Sequence, residues 1–93
     1  MSGSHSPRGP VLLFREARDA AAGMKRLRER QGLTPQDLAG RLGCNVPWVQ
    51  SRELYKTRLT LAEAERIAKA LGTDYPGLLA AGATQLNESR AGN

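Results

Sequence analysis

The chain is cut at close intervals by paired stop and start signals for helices, which leaves room for short helices and little else. Gly32, Gly43 and Gly72 each stand where a run of helical period ends, and glycine tolerates the left-handed backbone that closes a helix. Thr34, Asn45 and Thr60 stand where the next helix can begin, each with a side-chain oxygen able to accept an unpaired amide of the first turn. Pro35 suits a first helical position, Asp37 complements the helix dipole, and Thr60 with Glu63 spells a capping box. Between these marks the apolar residues keep one face. Leu13, Ala17, Ala20, Met24, Leu27 and Gln31 draw a first stripe, a helix over Ala20 to Arg30 at least, which Gly23, costing about 1 kcal/mol relative to Ala, either interrupts or leaves continuous. Leu38, Ala39 and Leu42 line the second helix, and the third is expected over about Val46 to Leu54. Leu61, Ala64, Ile67, Ala68 and Leu71 line the fourth, and Leu78 and Leu79 a short fifth from about Asp74 to Ala81. No stretch reads as a strand, so the expected fold is an all-α, compact five-helix domain.

Length and composition narrow the function. The 93 residues make one domain, expected over residues 11–82, with small, polar, disordered tails at 1–10 and 83–93. Lys and Arg number 14 against 9 Asp and Glu, a formal charge of +5. That excess suits a polyanion without separating nucleic acid from an acidic protein or a membrane surface. The longest apolar run, Val11 to Phe14, is too short to span a bilayer and lacks a signal-peptide pattern. A single cysteine, Cys44, and a single histidine, His5, exclude an internal disulfide and a cysteine-based zinc site. The expectation is a cytoplasmic chain in a reducing compartment, with no metal and no cofactor. An enzyme is not expected either: His5 lies in the N-terminal tail, no nucleophile–base–carboxylate set is visible, and there is no glycine-rich phosphate loop.

The junction of the second and third helices is the informative feature. Two helices crossing steeply through a short turn need a small residue where they approach, a positive φ in the turn, and an apolar residue closing the core from the second helix. Ala39, Gly43 and Val49 meet those demands in order, with Leu38 and Leu42 in support.

On these residues, and on Leu27-Arg28, Gly32-Leu33-Thr34, Glu53, Lys56, Leu61 and Ile67 to Gly72, the stretch Met24 to Leu79 resembles the phage-repressor (Cro/repressor, XRE) helix-turn-helix family. The resemblance implies a lambda-repressor-like domain, sequence-specific binding to double-stranded DNA, and a transcriptional regulator, as a repressor, acting as a homodimer on a near-palindromic site. Its third helix would enter the major groove with Val46, Pro47, Gln50 and Ser51 facing the bases. Gln36, Asn45, Arg52, Lys56, Thr57 and Arg58 would meet the DNA backbone, and Arg28 with Glu53 would form a structural ion pair. Three positions depart from the family's pattern. Pro35 replaces a customary Gln, Arg52 a customary apolar residue, and Tyr55 a customary Gly, so the third helix is expected to run longer or to leave its end differently. Val46 and Pro47 suit thymine methyls, Gln50 suits adenine, and no Arg at the front of the helix reads guanine.

Other residues carry blander readings. Trp48 either packs against the second helix or a nearby loop, or touches DNA; Cys44 reads as an apolar filler of the turn. Arg15, Arg18, Lys25, Arg26 and Arg30 read as a solvated face of the first helix. Val11 to Phe14 either fold over the chain's own core or meet a second copy. The alternative function is a protein-binding helix-turn-helix module, such as an antitoxin or a partner of the transcription machinery, because a fold does not fix a function.

Overall fold

A computed structural model of the chain describes residue 12 and residues 14–91, of which 84–91 are described by backbone alone. Over these residues run α1 (Phe14–Arg30), α2 (Pro35–Leu42), α3 (Val46–Glu53), α4 (Leu61–Ala70) and α5 (Tyr75–Ala91), with no extended strand. The first four helices end in the same hydrogen-bonded lock. Gly32, Gly43, Tyr55 and Gly72 take φ values of 73°, 69°, 59° and 79°. The amide of the next residue then turns back to a carbonyl five residues earlier: Leu33 to Arg28, Cys44 to Ala39, Lys56 to Ser51 and Thr73 to Ala68, at 2.8 to 3.0 Å. This closure satisfies carbonyls that the helix would otherwise leave unpaired. Tyr55 is the exception in kind. A side chain in the left-handed region costs about 1–2 kcal/mol, and the departure at this position resolves not as a longer helix but as a Tyr doing the work of Gly. Its ring gains a T-shaped contact with Phe14, centroids 5.8 Å apart, of a kind worth about 0.5–1.5 kcal/mol.

The helix starts follow the cap residues. Thr34 Oγ1 accepts the Asp37 amide at 3.0 Å while Asp37 Oδ2 accepts the Thr34 amide at 2.9 Å, so Asp37 completes a second capping box. Accepting that backbone bond holds the Asp37 carboxyl below its ordinary value. The folded value being the lower one, this contribution is present above the ordinary carboxylate range and is lost as pH falls through the depressed value. Thr60 and Glu63 form the box read in the sequence, both bonds 3.1 Å, and Asn45 Oδ1 accepts the Trp48 amide at 3.0 Å.

Met24, Leu38, Val49, Leu59, Ile67 and Leu78 are fully buried, so every helix and the α3–α4 segment each send a side chain to one core. Of the expected stripes, Leu27, Leu61 and Leu79 pack only partly buried against it. Gln31 lies outside, with Nε2 donating to the Leu71 carbonyl at 2.7 Å. The apolar run at the N-terminus divides. Leu12 is buried and its amide donates to the Leu59 carbonyl at 3.1 Å, whereas Phe14 is 56% exposed. Val11, Leu13 and His5 lie outside the described residues.

One open alternative is resolved and one helix end is corrected. α1 passes through Gly23 without a break, and α5 continues past Ala81 to Ala91. That both helices run straight through a glycine has one cause. α1 and α5 cross where Gly23 and Gly82 face each other, and a Cβ on Gly23 would run into the Leu78 carbonyl oxygen, one on Gly82 into that of Asp19. The crossing needs glycine for closeness, not for a turn, so neither residue breaks its helix. Gly23→Ala should therefore destabilise the domain by about 3 kcal/mol as the helices are forced apart, a fall in Tm on the order of 10 °C or more. Helix propensity alone would make the same change stabilising by about 1 kcal/mol. Thermal unfolding decides between the signs, and a raised Tm would refute the close crossing.

Candidate nucleic-acid interface

Helix α3 has eight residues, and Val49 is the one classed as buried. So short a helix cannot hold its own direction, and side chains at its C-terminal end hold it from two sides. On one side Arg28 of α1 reaches Glu53, Nε to Oε2 at 2.7 Å and Nη2 to Oε1 at 3.1 Å. Its remaining arm, Nη1, donates to the Leu33 carbonyl at 2.8 Å. The two side chains are only 10% and 6% exposed, and the hydrogen bond to Glu53 outweighs burial to raise the Arg28 pKa. On the other side Arg52 Nη2 reaches Glu63 Oε2 of α4 at 3.2 Å, and its guanidinium lies 4.2 Å above the Trp48 ring.

Pinned in this way, α3 turns the rest of its surface outward. Pro47 and Gln50 are exposed, and Val46 and Ser51 half-buried. Gln36 at the start of α2 and Asn45 ahead of α3 are exposed too, and with Val46 they border one shallow cleft of about 360 Å³. Lys56, Thr57 and Arg58 are exposed in the segment after α3. The structure thus gathers the sequence-derived residues along α3 and its two flanks, with one exception. Arg52, expected at the DNA backbone, is directed inward to Glu63 and Trp48. Trp48 is half-buried under that guanidinium. Sequence reasoning missed Glu63 as a partner of α3, because its place in the capping box already accounted for it.

The interface offers binding chemistry. Burial raises the Cys44 pKa, against the nearby Arg66 and Arg52, so the thiol stays protonated and is a poor nucleophile at neutral pH. No cluster of His, Cys, Asp or Glu suited to a metal ion occurs among the described residues, and no described helix is long and apolar enough to cross a membrane.

A family model described as a helix-turn-helix domain matches residues 14–82. The chain belongs to that family. Among solved structures it is similar to the clp gene regulator ClgR from Corynebacterium glutamicum, with a TM-score of 0.68 and 22% identity over 88% of this chain and 85% of that one. It is also similar to a hypothetical transcription factor, NHTF, from Neisseria, with a TM-score of 0.66 and 26% identity over 85% of this chain and 94% of that one. No curated protein matches the chain.

The buried ion pair yields a test. Glu53→Ala leaves Arg28 desolvated without its carboxylate, and should cost about 3 kcal/mol in urea unfolding. A loss below about 1 kcal/mol would place the pair among ordinary surface bridges.

Proposed function

We propose that the chain is a sequence-specific double-stranded DNA-binding regulator of the phage-repressor (Cro/repressor, XRE) type, a repressor that reads the major groove with α3 as a homodimer. The observation that carries this reading is the outward face of α3. Val46, Pro47, Gln50 and Ser51 share it, with Gln36 and Asn45 on one flank and Lys56, Thr57 and Arg58 on the other. Such a face would read bases from the helix and hold phosphates from beside it, the division of labour that DNA recognition requires. The regulator and transcription-factor descriptions of the two similar structures support the same class. A single reading helix spans only a few base pairs, so two half-sites about 34 Å apart are needed for selectivity. The work of such a protein lies in the cytoplasm, beside the nucleoid.

A second reading, a protein-binding module, is favoured by one observation. Phe14 and Leu54 are 56% and 61% exposed, large apolar side chains left in solvent at the far end of the reading helix.

Binding-site selection from random duplexes, followed by salt titration, separates the two. If each protomer places about four donors on phosphates, the dimer should show a log–log salt slope of about −5 or steeper. Gln50→Ala should relax preference at one base pair per half-site, and Lys56→Ala or Arg58→Ala should weaken all sequences about equally. A slope near zero, or no shift of any duplex at low salt, would favour the protein-partner reading.

A further inference from the structure

Arg52 occupies a position where the family resemblance expects an apolar side chain, and its surroundings are unlike those of a phosphate contact. Its guanidinium is 13% exposed, bonded to a Glu63 carboxylate that is 14% exposed, and stacked on Trp48 at 4.2 Å. Nη1 donates to Ser51 Oγ at 3.3 Å, and the Ser51 hydroxyl in turn donates to the Trp48 carbonyl at 3.0 Å. Glu63 is committed at its other oxygen, Oε1 accepting the Thr60 amide at 3.1 Å. The Nε–H is buried and meets no acceptor. These bonds form one chain, from the first turn of α4 through Glu63 and Arg52 to the two residues of α3 that flank Val49 and Gln50.

We infer that Arg52 is a specificity-determining positioning residue: it sets Trp48 and Ser51 of α3 against α4, and acts on DNA through them rather than by touching phosphate. The inference rests on the DNA-binding reading and names the part of that site which governs base preference. The hydroxyl of Ser51 decides the chemistry. Its proton is directed to the Trp48 carbonyl and one lone pair receives Arg52, so it faces a base as an acceptor only. The base opposite Ser51 should then be adenine or cytosine, which present the N6 or N4 amino group, in preference to guanine or thymine, which present acceptors. Trp48, with one face covered by the guanidinium, is held in a single orientation beside it.

The test compares Arg52→Leu, Arg52→Lys and Glu63→Gln with Lys56→Ala. Trp48 is the chain's only tryptophan, so its emission without DNA reports the tether directly. Arg52→Leu and Glu63→Gln should shift that emission, and should lower the preference at one base pair per half-site by about fivefold, the scale of one lost hydrogen bond. Their salt slope should stay at the wild-type value. Arg52→Lys, which can still reach Glu63 but stacks less, should restore part of the preference. Lys56→Ala should flatten the slope by about 1 per contact removed and leave the preference intact. If Arg52→Leu instead behaves like Lys56→Ala, Arg52 is a phosphate contact and the inference is overturned. If Arg52→Leu does not fold, Glu63→Gln, whose amide can still cap α4, decides alone: unchanged emission and preference overturn the inference. A wild type that binds no duplex overturns the DNA reading and the specificity role with it, whereas binding with unchanged preference in the variants overturns the specificity role alone.

Discussion

The Arg28 guanidinium is the constraint on which the arrangement of the first three helices depends. It is buried, permanently charged, and held by three hydrogen bonds, two to the Glu53 carboxylate and one to the Leu33 carbonyl. A cation in that position is tolerable only with all its hydrogen bonds made. The α1–α2 turn must therefore offer Leu33, and the end of α3 must offer Glu53, at the same place. Packing through Val49 could bring α3 to the core in several rotations. The bidentate geometry of an Arg–carboxylate pair admits few of them. The outward face of α3 is in this sense the complement of an inward charge.

Much of the fold was legible because its boundaries are written in residues whose backbone preferences are strong. Gly32, Gly43 and Gly72 ended helices as read, and Thr34, Asn45 and Thr60 began them. What escaped was the role of glycine away from boundaries. Gly23 and Gly82 serve a helix crossing, and nothing local distinguishes a glycine that lets two backbones touch from one that ends a helix. The distinction lies in a partner far along the chain. The length of α5 escapes for another reason: the small, polar residues 83–91 carry no apolar stripe that would mark a helix.

The placement of Val46, Pro47, Gln50 and Ser51 along α3 follows from helix boundaries legible in the sequence, whereas the inward partners of Arg52 do not. A basic residue near the end of α3 suits phosphate, which is what the family resemblance implies for Arg52. Its actual neighbours, Glu63 and Trp48, come from the start of α4 and from one turn back on α3. Only the relative rotation of those helices reveals that an arginine can replace an apolar contact there, its stem and planar head packing while its charge is met by a carboxylate. Tyr55 shows the same compromise at the backbone level, a bulky residue held at φ 59° against the Phe14 ring.

The α1–α5 crossing also orders events in time. The locks at the ends of α1 to α4 join neighbours through short reversals, so contacts among α2, α3 and α4 close small loops and can form early. The Gly23–Gly82 approach joins residues separated by most of the domain. Until α5 has been made, Gly23 of α1 lacks the backbone that it meets at the crossing. A helix made early is thus completed by one made much later in the same domain.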